Sequence, residues 1–185
     1  NVNRPSDWSS VWNRLIERPN YLILSPLLFI DFQRLLIAGL RGEKKVFYSN
    51  GLQKVDSSLL TAILSGCWKM QTPFRGEYLD IYHDYEGGNI TYHRFNSSGN
   101  LETFSEKLDP DTLLDCKEID LEHWLNNPTS QGLPRKDVRP GNLTNSAGKG
   151  GVAYISACDF WVDFSWHTPK DNYPILGARI ARVKN

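Results

Sequence analysis

The hydrophobic period of this chain changes once, near Gly66, and that change constrains the fold more than any other feature. Before it, apolar residues recur every three or four positions; after it, they alternate. Trp8, Val11, Trp12, Leu15 and Ile16 mark one face of a helix over 8–18, with Ser6 and Asp7 as N-caps and Pro19 at its end. Ser25-Pro26 reads as a cap and first-turn proline of a second helix, which runs to Leu40 with Gly42 as its C-cap. Nine apolar residues from Leu27 to Leu40 cover nearly its whole circumference, which predicts burial by the rest of the fold or by a second copy. Residues 45–49 form a short strand, Asn50-Gly51 turns, and Asp56 caps a third helix that ends at Leu64 and Gly66.

Beyond Gly66 the pattern is that of strands. Residues 77–85, 90–96 and 101–105 form a meander with turns at Glu86–Asn89 and Ser97–Asn100. Short helices are expected over 110–116 and 120–125. Residues 127–151 hold five Gly and three Pro without periodicity, so an irregular loop is expected there. Residues 152–166 read as one long strand, with Val152, Tyr154, Cys158, Phe160, Val162, Phe164 and Trp166 on a single face, and 173–183 as the last strand. The expected class is α+β in a single domain over 1–185. A helical part fills 1–65, and a mostly antiparallel sheet over 66–185 curls strongly toward a partial barrel.

Gly66-x-Trp68 before the strands resembles the opening of lipocalin-like barrels. The resemblance implies a Trp at the closed end of a barrel, packed on a late-strand arginine, here Arg179 or Arg182.

Twenty-one Lys+Arg balance twenty-one Asp+Glu, and no basic stripe stands out, so a nucleic-acid partner is not expected. Cys67, Cys116 and Cys158 are too widely spaced for a metal pattern, and read as buried free thiols. Neither a metal nor a cofactor is expected; Gly148-Lys149-Gly150-Gly151 lacks the phosphate-binding pattern. Pro26, Asp31, Gln33 and Arg34 interrupt the most apolar stretch, so no membrane span is expected and the chain reads as soluble. It begins with Asn1, carries Met only at Met70 and shows no signal peptide at its start, as in a processed product or an excised fragment.

Two-residue turns centred on Gly87-Gly88 and Ser98-Gly99 set Tyr82 opposite His93, His93 opposite Phe104, and Phe95 opposite Glu102. One sheet face then carries Tyr78, Asp80, Tyr82, Asp84, His93, Phe95, Glu102 and Phe104. Such a mixture of rings and a few polar groups suits the wall of a small-molecule site. His93 is the candidate general base, and Asp80, diagonal to it, its orienting carboxylate. On the long strand, Trp161 shares a face with Asp159 and Asp163, whose carboxylates lie about 13 Å apart. Arg179 on the last strand is a candidate partner for either. Tyr82, Phe95, Glu102 and Trp161 are the expected lining, with Asp159, Asp163 and Arg179 as further contacts. The expected function is small-molecule binding in this pocket. The alternatives are metal-independent acid–base catalysis there by a hydrolase, lyase or isomerase, or a protein-interaction module. The module would use helix 26–40 and loop 127–151, with self-association through the helix.

Overall fold

The computed structural model describes residues 21–48, 51–68, 76–84, 86–98, 100–114, 119–137, 151–158, 161–167, 176–178 and 180–182. The helix expected over 8–18 lies outside them, as does Cys116. The class is α+β, with helices packed on a largely antiparallel sheet.

Helix α1, Pro26–Leu40, begins and ends as its residues dictate. Ser25 is extended, and its hydroxyl accepts the Leu28 N–H. At the other end Gly42 takes φ +75°, which L side chains rarely adopt, and the Glu43 N–H donates to Ala38 O at 2.9 Å. The helix is not buried all round. Pro26, Phe29, Ile30, Gln33 and Leu36 form its buried stripe, while Leu27, Leu28 and Leu35 keep 43, 40 and 37% of their surface. Its far side, with Asp31 and Arg34, is exposed.

Asp56 caps α2, Ser57–Trp68, by accepting the Leu59 N–H. This helix continues through Gly66, so Gly66-x-Trp68 forms its last turn and does not open a strand as in lipocalin-like barrels. A helical glycine costs about 1 kcal/mol, which the packing of Leu60, Ile63 and Leu64 on Leu36 and Val55 outweighs. The strand expected over 45–49 is reduced to a bridge between Phe47 and Lys54.

The sheet comprises β2 (Gly76–Asp84), β3 (Asn89–Phe95), β4 (Leu101–Lys107), β5 (Gly151–Cys158) and β6 (Trp161–His167), in the order β4-β3-β2-β5-β6. These neighbours are antiparallel. The sheet is open, with β4 and β6 at its edges, so the expected closure toward a barrel is not found among the described residues. β7 (Leu176–Ala178) runs parallel to the start of β2, and β8 (Ile180–Arg182) pairs with β1 (Tyr21–Ile23). The single last strand expected over 173–183 is therefore two strands serving different partners.

The long strand expected over 152–166 is a hairpin. Cys158 pairs with Trp161, and i+j is constant at 319 along β5 and β6, so odd positions face even ones. Ala153 and Ile155 thus join Phe164 and Trp166 in the main core, while Val152 packs with Tyr78 on the other face. The main core lies between the sheet and α1, with α3 (Leu121–Asn126) and neighbouring loops. A chain of rings runs through it. Trp124 stacks on Phe29 and meets Phe164 edge-on; Phe164 meets Trp166, and Trp166 meets His83.

Residues 110–114 form a turn and a bridge from Thr112 to Arg135 in place of the expected helix. The expected loop 127–151 is packed over 127–137; the rest before β5 lies outside the described residues. Leu133 is fully buried, and Gln131 clamps the end of β4 by donating to Lys107 O and accepting from the Asp109 N–H. Gly132 gives its carbonyl to Trp124 Nε1 at 3.1 Å. Asp120 caps α3 near the expected position, and Arg34 Nε reaches back from α1 to Leu125 O at 2.9 Å.

Candidate functional site

The site grows from an irregularity in β2. A half-buried strand alternates, yet Tyr78, Leu79, Asp80 and Ile81 are all buried. β2 opposes β5 regularly at Tyr78 and again at Tyr82, but four residues on β2 span only two on β5. On its other edge β2 pairs β7 over Gly76–Tyr78 and β3 over Tyr82–Asp84. Asp80 falls in the gap between those partners. Its backbone N–H donates to Leu24 O at 2.9 Å.

The β2–β3 register sets Tyr82 against Thr91 and His83 against Ile90, two residues from the expected alignment. A two-residue shift keeps the faces, so Asp80 stays on the face of His93. The Asp80 carboxylate then takes two bonds from one residue. Oδ2 accepts the His93 backbone N–H at 2.8 Å, and Oδ1 lies 3.0 Å from Nδ1 of the ring. Asp80 is fully buried; the His93 side chain remains 22% exposed.

Bonding at Nδ1 to a carboxylate makes that nitrogen the proton carrier, and Nε2 the basic nitrogen of the neutral ring. An oriented histidine beside a buried Asp is suited to accept and return a proton.

Tyr82 packs with Tyr78, Val152 and Tyr154 on the face shared with His93. Phe95, two residues beyond His93 on β3, has the same parity and is half-buried. Glu102 does not join them. His93 pairs with Thr103, and Glu102 with Arg94, because Asn96 and Asn100 close a three-residue loop. The Asn96 side-chain oxygen accepts the N–H groups of Ser98 and Asn100, and its Nδ2 donates to Glu102 Oε1. One residue beyond the expected turn turns β4 over, so Phe104 lies with Tyr92 and under the Arg94 guanidinium.

Trp161 takes the register position opposite Cys158, and Asp163 that opposite Ser156. The 13 Å spacing of Asp159 and Asp163 assumed one continuous strand and does not carry over to the hairpin. Asp159 and Arg179 lie outside the described residues. Among the described residues no cluster of His, Cys, Asp and Glu is arranged to hold a metal ion, and no helix is long and apolar enough to cross a membrane.

Sequence reading placed Tyr154 on the main apolar face and missed its contact with the Tyr78 cluster. The signal lay in the reversal after Cys158, which alternation alone does not reveal. His83 sits on the main-core face, and burial lowers its pKa despite the opposing charge of Asp84. Burial and Glu106 raise the pKa of Tyr92, whose hydroxyl lies 3.2 Å from Glu106 Oε1. Comparison with family models, with curated proteins and with solved structures gives no match.

Proposed function

We propose that the Tyr82–His93–Phe95 face binds a small polar or aromatic molecule, and that His93, held by Asp80, acts on it as a general base. One observation carries this: the buried Asp80 carboxylate engages both the main chain and the ring of a histidine that stays open to solvent. A carboxylate needed only to complete the sheet would satisfy the His93 N–H; the second bond fixes the ring as well. Tyr82 and Phe95 supply contact area on the same face.

The test uses p-nitrophenyl acetate as a generic acyl probe, with rates followed across the imidazole titration range. The expected rate exceeds that of free imidazole at matched concentration and rises as the ring deprotonates. His93→Gln removes about 99% or more of the excess, in line with the 10²–10⁴-fold range of general-base catalysis. Asp80→Asn lowers the rate less, because the ring loses its orienting partner but keeps its basic nitrogen. An unchanged rate in a folded His93→Gln variant overturns the proposal. Wild type with no excess over free imidazole does so too.

A further inference from the structure

We infer that the hairpin between α1 and α2 is a foot by which the protein rests on an anionic lipid surface. The chain leaves α1 at Arg41, reverses, and reaches the cap of α2 at Asp56. Phe47 bridges Lys54, the Val55 N–H donates to Val46 O at 2.8 Å, and the Tyr48 N–H donates to Gln53 O at 2.9 Å. Gly51, at φ +73°, gives its N–H to Tyr48 O and closes the turn. Val46 and Val55 root the hairpin in the cluster of Leu36 and Leu60. Gly39 allows that close approach, since an added Cβ would lie 2.7 Å from Val46 Cγ2. Beyond this root both strands leave the body. Phe47, Tyr48 and Leu52 keep 47, 37 and 87% of their surface, and Gln53 and Lys54 are exposed with them. Among the described residues, Leu52 is the most exposed large hydrophobic side chain.

Charge decides what meets this tip. Arg41, Lys44 and Lys45 lead into the hairpin and Lys54 leads out of it, all exposed, with Glu43 as the one acid among them. Asp56, at its foot, is committed to α2, where it accepts the Leu59 N–H and the Ser58 hydroxyl. The whole chain has no net charge, so this basic excess is local. An apolar tip backed by cations suits the boundary layer of an anionic bilayer in both respects. Leucine and aromatic side chains enter between headgroups and acyl chains. Lysine stems follow them and leave their charges among the phosphates. A protein partner would need a preformed pocket for Leu52 ringed by acids, whereas a fluid lipid layer closes around whatever enters it.

Co-sedimentation with vesicles of phosphatidylcholine containing about one-third phosphatidylserine tests this, with circular dichroism as the folding control. The wild-type chain is expected to bind these vesicles, to leave them as salt rises, and to ignore vesicles of phosphatidylcholine alone. Leu52→Ser and Phe47→Ser each weaken partition about tenfold with the fold intact, since both side chains are exposed. Lys45→Gln and Lys54→Gln each weaken it about fivefold, the effect of one cation near an anionic surface. Lys107→Gln, which removes an exposed base on β4, leaves it unchanged. A wild-type chain that ignores the anionic vesicles overturns the inference, and if it then binds polyglutamate through the same lysines the hairpin serves an acidic protein instead. Partition that survives Leu52→Ser, or that is equal on the neutral vesicles, also overturns it.

Discussion

His83 and His93 show how much a residue's neighbours decide. They lie on adjacent strands of one sheet, yet His93 meets a carboxylate and His83 meets Trp166. Burial lowers the His83 pKa, so the unfolded chain takes up this proton near the ordinary histidine value of 6.5 and the folded chain only at lower pH. Below that value the unfolded state binds more protons, and folding stability declines as pH falls. Urea unfolding from neutral pH downward should show the decline, and His83→Gln should flatten it at some cost in core packing. Asp80→Asn should lower stability by about 1–3 kcal/mol at neutral pH, because two partly buried bonds rest on its buried carboxylate. A midpoint unchanged in urea would refute that. The pairing of Asp80 with His93 was legible in the sequence, since a two-residue error in register leaves parity intact. The position of Glu102 was not, since one more loop residue at Asn96–Asn100 reverses it.

At the scale of elements, local signals served where local chemistry closes the structure. Ser25-Pro26, Asp56 and Asp120 mark their helix starts correctly. The segment 127–137 was illegible because its order is supplied from elsewhere. Thr129 holds Leu133 through main-chain and hydroxyl bonds, Gln131 holds β4, and Gly132 presses on the start of α1. Composition reads such a stretch as loose, since none of these partners is periodic in sequence. Gly132 has φ +79°, and an added Cβ would sit 2.5 Å from Leu27 N. Gly132→Ala should therefore lose about 2–4 kcal/mol from strain and overpacking together. The same change at Gly42, where φ is +75° with open space around, should cost only about 1–2 kcal/mol. Equal losses in denaturant titrations would show that the contact with α1 contributes nothing.

Over the whole molecule, the division into helices and antiparallel sheet follows from the change of period at Gly66. The order of the strands does not, because β7 and β8 are three-residue segments whose partners lie far away in sequence. β2 joins β3, β5 and β7 and receives Leu24 O at Asp80, so the candidate site stands where the most distant parts of the chain meet. The β1–β8 ribbon has a consequence for how the chain is made. Tyr21 pairs with Arg182, 182 − 21 = 161 residues later. At 5–20 residues per second, a ribosome leaves Tyr21–Ile23 without that partner for roughly 8–30 seconds. Throughout that interval Leu22 and Ile23, buried in the finished fold, lack the strand that pairs with theirs. The β1–β8 ribbon therefore forms only after both of its strands have been synthesised, so this part of the fold closes late in synthesis.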